Sequence, residues 1–292
     1  MNILFPTDFS PNSKVALSYA TDFIKKVNGK LTLAHITHVP VMESLNLGTL
    51  TDPVGGPTER LQKRVEEDKV ESIVRKLEEL RSEFGLTEEN CTCTARNGQV
   101  KSEIDKLFKE NNFHLVVMGT RGENTQSGFF FGGMAEHLLK EAECPVMAIP
   151  PGSEYKGVKR IVYATNLMHD EKGVLNWLTN YARLNNSRIH LIHINDEGSQ
   201  NTKEQLLLDL IKEVAYDNIT FEILEGSAVT DLILEISKDG ETDVLSLTTH
   251  TTTLMERIFH SSITEEVLQR VNIPFIGFSE KDTTPYNFNS FE

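Results

Sequence analysis

Cysteine is scarce, with 3 in 292 residues, which excludes a disulfide framework and the small secreted scaffolds that depend on one. Long apolar runs are missing as well. No stretch approaches the ~18 residues needed to cross a bilayer, so membrane insertion is not expected. Positive charge is short: 29 Lys and Arg face 43 Asp and Glu, for a formal charge of −14. A chain this acidic repels phosphate backbones, and nucleic acid is not an expected partner. The opening Met1-Asn2-Ile3-Leu4-Phe5-Pro6 carries no basic segment and soon meets Asp8, unlike a secretory leader. What is present is an ordinary globular mix, 39% hydrophobic and 25% charged, with length for two domains. A cytoplasmic location is the expectation.

The chain repeats itself. Ile3-Leu4-Phe5-Pro6-Thr7-Asp8 matches Ile161-Val162-Tyr163-Ala164-Thr165-Asn166 at an offset of 158 residues, and His35 matches His193 at the same offset. Further on the offset falls to 129, where Met134, Leu138 and Leu139 match Ile263, Val267 and Leu268. The two halves are one unit used twice, the second having lost about 29 residues between its second and third strands.

Each unit alternates strand and helix. In the first, strands are expected over 3–5, 31–36, 91–96, 115–118 and 146–149, and helices over 16–27, 59–83, 101–109 and 134–142. Alternation of this kind implies right-handed crossovers and a parallel sheet covered on both faces. The expected organisation is a first domain over 1–152, a second over 157–279 and a polar tail over 280–292, with Pro150-Pro151-Gly152 opening the linker.

In such a sheet, ligands bind beyond the carboxyl ends of the strands where the winding reverses. Two loops have that address. One is Pro6-Thr7-Asp8-Phe9-Ser10, in which Asp8 accepts from an adenine or ribose or holds a magnesium-bound water, or else Asp8 or Ser10 caps the next helix. The other runs from Met118 and Gly119 through Arg121 and Gly122 to Gly132, Gly133, Met134 and Ala135, where a helix opens. Glycines leave backbone N–H groups unobstructed and a helix N-terminus adds partial positive charge, a phosphate cradle that needs no basic residue. It fits neither the Walker nor the Rossmann pattern. Arg121 either adds a charge-assisted contact or lies in solvent.

Gly119-x2-Gly122-x9-Gly132, between an apolar strand and a helix that ends in Glu143-Cys144-Pro145-Val146, resembles the nucleotide loop of the universal stress protein family. Pro6-Thr7-Asp8-Phe9-Ser10 and Ala34-His35-Ile36 look like that family too, and the likeness extends over nearly the whole chain as a tandem pair. The resemblance implies two doubly wound α/β domains, each with a five-stranded parallel sheet of order 3-2-1-4-5. It implies ATP or another adenine nucleotide with Mg2+, the base near Asp8 and Ile36 and the phosphates on the glycine loop. Pro6, Thr7 and Met118 fall within the implied site.

Two departures stand out. Nucleotide-binding members of the family carry hydroxyl residues where this chain has Gly133 and Ala135. The second half keeps such hydroxyls at Ser262 and Thr264, but replaces Asp8, Gly119, Gly122 and Gly132 by Asn166, Thr248, Thr251 and Ser261. It reads as a degenerate, structural copy. The expected function is a stress-response protein that binds an adenine nucleotide in its first domain and acts as a regulatory or adaptor module. The alternative is a nucleotide-independent dimeric interaction protein, or a carrier of another small ligand. Pairing is expected either as a homodimer or between the two domains of one chain.

Other features point to packing. His35 and His193 occupy equivalent strand ends, Cys91 and Cys93 share a strand face without a second pair to complete a zinc site, and Phe129-Phe130-Phe131 is expected to pack on the adjacent domain. No Ser-His-Asp order, nucleophile elbow or acidic pair supports dedicated hydrolysis, and slow ATP hydrolysis is the most that Asp8 suggests.

Overall fold

Alternating burial along each strand puts Ile3 and Phe5 on one face of a sheet and Leu4 on the other, so both faces must be covered. The computed structural model describes residues 1–38, 57–120, 134, 137–139, 142–165, 167, 171–195, 200–225, 235, 240–248 and 273–278. Its strands are β1 (Asn2–Pro6), β2 (Lys30–Thr37), β3 (Cys91–Asn97), β4 (Leu115–Gly119), β5 (Val146–Ile149), β6 (Arg160–Thr165), β7 (Arg188–Asn195), β8 (Ile219–Glu225), β9 (Val244–Thr248) and β10 (Phe275–Phe278). Its labelled helices are α1 (Pro11–Val27), α2 (Pro57–Glu83), α3 (Val100–Glu110), α4 (Lys172–Asn185) and α5 (Gln200–Val214).

The sheet order is β3-β2-β1-β4-β5-β10-β9-β6-β7-β8. Each half therefore has the expected 3-2-1-4-5 order with parallel neighbours. The halves meet where β5 and β10 pair antiparallel, Phe275 opposite Ala148 and Ile276 opposite Met147. Of the two kinds of pairing expected from the sequence, the chain shows the intramolecular one. Side chains of both halves meet on the same face of this continuous sheet. One buried cluster runs from Leu31 and Phe5 through Met147 and Ile276 to Tyr163 and Leu191. Helices α1, α2, α4 and α5 supply its lid, with Leu17, Leu77, Leu178 and Leu207. On the other face Ile104 and Leu107 of α3 join Leu138 and Leu139 against Leu4, Val116 and Leu245.

Helix ends follow local chemistry. Ser10 is the N-cap of α1, its hydroxyl accepting from Ser13 N at 3.1 Å, and Pro11 follows where its missing N–H costs nothing. Asn28 closes α1 in the left-handed region (φ 49°), as Asn186 does for α4 (φ 56°) at the equivalent position. Ser10→Ala should cost about 1 kcal/mol, read as a lower urea midpoint with an unchanged slope.

Aromatic side chains lock the two halves together. Trp177 of α4 stacks on Tyr181 at 5.3 Å and meets Phe278 edge-on at 5.5 Å, while its indole N–H donates across the seam to the His114 carbonyl at 3.3 Å. Phe23 of α1 lies 5.4 Å from Tyr181, and Tyr155 of the linker packs edge-on against Tyr19 at 5.1 Å. The Tyr155 hydroxyl donates to Asn185 Oδ1 at 2.7 Å. Residues 280–292 and Phe129, Phe130 and Phe131 lie outside the described residues.

Candidate functional site

The carboxyl ends of β1 and β4 are where the winding reverses in the first half. The turn that leaves β1 is held from every side. Thr7 N donates to the Ala34 carbonyl at 2.9 Å, and His35 Nδ1 lies 2.7 Å from the Thr7 carbonyl, to which it donates. The Thr7 hydroxyl accepts from Phe9 N at 3.0 Å and lies 2.8 Å from Ser13 Oγ. Asp8 Oδ1 accepts from Ser10 N at 3.0 Å. These contacts hold Phe9 in the left-handed region (φ 63°), which a bulky residue rarely adopts. Such strain persists only where surrounding structure over-determines it.

The result is a division of labour among the expected site residues. Pro6 and Thr7 are buried and shape the turn, whereas Asp8 is exposed at the sheet edge. Ser10, not Asp8, caps α1. Ile36 is half-buried near the end of β2, Met118 is buried, and Gly119 ends β4 half-buried. A Cβ on Gly119 would sit 3.2 Å from the Asn12 carbonyl, so the first turn of α1 presses directly on this glycine. The next residue, Thr120, is buried, and its hydroxyl has no hydrogen-bond partner among the described residues. Sequence reasoning passed over Thr120; its signal was a hydroxyl immediately after the strand-end glycine. Met134 is helical and half-buried. Arg121, Gly122, Gly132, Gly133 and Ala135 lie outside the described residues.

The second half reproduces the turn and refills it. Leu167 takes the left-handed conformation (φ 56°) at the position of Phe9, its N–H donating to Thr165 Oγ1 at 3.0 Å. His193 Nδ1 donates to the Thr165 carbonyl at 2.9 Å, as His35 does to Thr7. At the position of Ser13, however, stands Glu171, 2% exposed. Its carboxylate accepts from Thr165 Oγ1 at 2.6 Å and from the Tyr163 hydroxyl. Where the first half has two small hydroxyls, the second has a buried carboxylate held by two donors. Asn166 and Thr251, Ser261, Ser262 and Thr264 lie outside the described residues.

The histidines are tied one to each half, and no group of metal-binding side chains forms among the described residues. Burial holds the His193 imidazole below the ordinary histidine range, against the Thr165 carbonyl and with help from Lys203. Burial and the N-terminal amine do the same to His114. Both are neutral bases that the unfolded chain protonates first. Their contribution to stability should therefore be full above pH ~6.5, the ordinary histidine value, and decline as pH falls from there toward the lowered folded values. Each histidine contributes a slope of at most ~1.4 kcal/mol per pH unit. Urea midpoints measured down to pH 5.5 should show the decline, and His193→Asn should flatten it; an unchanged slope would remove His193 from this role.

Against known proteins, a model of the universal stress protein family matches residues 1–150. The chain belongs to that family. The universal stress protein Slr1230 of Synechocystis is 20% identical over 298 residues, spanning 95% of this chain and 99% of its own length. Among solved structures, a universal stress protein from Archaeoglobus fulgidus superposes with a TM-score of 0.68 at 18% identity, over 95% of this chain and 98% of that one. A Pseudomonas aeruginosa structure described as a putative universal stress protein reaches 0.57 at 15% identity, over 95% and 92%. At these identities the structural likeness speaks for the universal stress protein fold, here in both halves of one chain. No described helix is long and apolar enough to cross a membrane.

Proposed function

We propose that this universal stress protein binds one adenine nucleotide, ATP or AMP, at the carboxyl edge of β1 and β4 in its first half. In this reading it serves in the cytoplasm as a regulatory or adaptor module of a stress response rather than as a dedicated enzyme. The observation that carries it is the strained Phe9 turn, which spends four hydrogen bonds to present an exposed Asp8 at the switch point, where β1 and β4 end. The half-buried Ile36 gives an apolar surface for a base, and Asp8 fits the ribose or base edge, or a water of nucleotide-bound Mg2+. Gly119 offers backbone without a side chain, and the Thr120 hydroxyl points to a further polar contact at the strand end. Residues 1–152 form the nucleotide-binding unit in this scheme and 157–279 its structural copy, with Glu171 filling the second turn.

The alternative, an interaction protein or a carrier of another ligand, is favoured by Gly133 and Ala135 in place of phosphate-side hydroxyls. Native mass spectrometry of protein purified without added nucleotide separates the two. Retained ATP, ADP or AMP supports the nucleotide reading, and a different retained mass identifies a carrier.

A further inference from the structure

Cys91 and Cys93 stand two residues apart on β3, the outer strand of the sheet, and both pack toward the face covered by α2. Cys91 is buried and Cys93 half-exposed. The two side chains share one face of the strand, and the Cys91 thiol donates to the Thr92 carbonyl at 4.0 Å. The guanidinium of Arg81, from the last turn of α2, lies over the pair, with Nη1 donating to the Cys91 carbonyl at 3.4 Å and Nη2 to Glu88 at 3.1 Å. The third cysteine, Cys144, is buried in the other core. The second half has no counterpart, since the matching positions hold Ile219 and Phe221.

Two residues along a strand separate Cα atoms by about 6.6 Å, at the ~6.8 Å upper limit for a disulfide, and their near-parallel Cα–Cβ bonds leave the Cβ atoms beyond the ~4.5 Å that the bond needs, so the strand must bend to close it. An interior strand paired on both sides resists that bending. As the outer strand, β3 is paired only to β2, so it can contract locally without breaking a second ladder.

We propose that Cys91 and Cys93 form a redox-active dithiol, which a hydroperoxide converts to an intrastrand disulfide. The Cys93 thiolate attacks the peroxide oxygen distal to the organic group or hydrogen. An S–O bond forms, the O–O bond breaks, and the departing oxygen takes a proton to leave as alcohol or water. Cys91 sulfur then attacks Cys93 sulfur; the S–S bond forms, the S–O bond breaks, and hydroxide leaves with the Cys91 proton as water. The dithiol loses two electrons and two protons, and the peroxide is reduced. The order of attack follows from exposure, since Cys93 is half-exposed and Cys91 buried. The thiol of Cys91 and the charge of Arg81 hold Cys93 below the usual thiol range, despite burial and the nearby Glu78 and Glu88. The neighbouring Cys93 side chain and burial push Cys91 up.

The test uses the full, reduced chain treated with hydrogen peroxide, alkylated and digested with trypsin. Both cysteines fall in one tryptic peptide, residues 82–96, since no Lys or Arg lies between Arg81 and Arg96. That peptide should become lighter by about 2 Da, refuse the alkylating agent and recover on treatment with dithiothreitol. The Cys144 peptide should keep its thiol. In Cys91→Ser the loss should vanish, and Cys93 should instead be trapped by dimedone as the sulfenic acid. A second variant, Cys93→Ser at the half-exposed position, should leave Cys91 unoxidised at the same dose. A gain of about 32 Da in the parent peptide, peroxide-linked dimers of the chain, or an unaltered dithiol at doses that oxidise the unfolded chain would each overturn the proposal.

Discussion

Titrated with ATP and Mg2+ in a calorimeter, the chain should take up one nucleotide, and Asp8→Ala should lower its affinity by about tenfold or more. The expectation of one rests on what each half puts at its switch point. The first has an exposed Asp8 and a half-buried Gly119 at the end of β4. The second replaces the carboxylate by Asn166 and the glycine by Thr248, and its turn hydroxyl, Thr165 Oγ1, is already committed to Glu171. A charge-assisted contact contributes roughly 1.5–3 kcal/mol, and 1.4 kcal/mol is already a factor of ten in binding. Gly119→Val should weaken binding further, because its branched Cβ starts 3.2 Å from the Asn12 carbonyl and pushes α1 away from the strand end. Restoring the carboxylate by Asn166→Asp should not create a second site, since Glu171 remains buried against Thr165 and Tyr163. Two nucleotides per chain, or full affinity in Asp8→Ala, would place the site elsewhere.

Replacing Trp177 by Ala should cost about 3–5 kcal/mol, the range for deleting a large buried aromatic side chain. Trp177 is 1% exposed and touches both halves, through Tyr181 of its own helix and the His114 carbonyl of the other half. Its removal opens a cavity at the seam and strands a carbonyl contact. Since the core on this face is continuous across the β5–β10 pair, the two halves should unfold together. Trp177 is the chain's single tryptophan, so its fluorescence reports the seam while circular dichroism reports all helices. In urea the two transitions of the parent protein should coincide. Separate transitions, or a loss below about 1 kcal/mol in Trp177→Ala, would mean that the halves are independent bodies that merely touch.

Much of the architecture was legible in the residues. The 158-residue register, the strand and helix alternation and the glycine at Gly119 follow from periodicity and local chemistry, and the structure has each half wound 3-2-1-4-5. The resemblance to the universal stress protein family was carried by the same residues. The N-cap was legible only as a choice between Asp8 and Ser10, because either side chain can accept from a helix N-terminus. Geometry gives that task to Ser10 and the upstream turn to Asp8.

The sequence by itself determined which segments are strands and helices, and which half keeps the acidic and glycine residues of the candidate site. Those features depend on neighbours a few residues away and on side-chain type. Tertiary structure alone decided the antiparallel β5–β10 seam, for Val146-Met147-Ala148-Ile149 and Phe275-Ile276-Gly277-Phe278 are apolar runs that would pair in either direction. It also decided the left-handed Phe9, which its own bulk disfavours and which Thr7, Ser13 and His35 together impose. Glu171 shows the difference most sharply. On a helix start it reads as a solvated acid, yet strand β6 brings two hydroxyl donors, Tyr163 and Thr165, to its carboxylate and makes burial tolerable. A residue's partners across the fold are set by where distant segments meet, and no local pattern encodes that meeting.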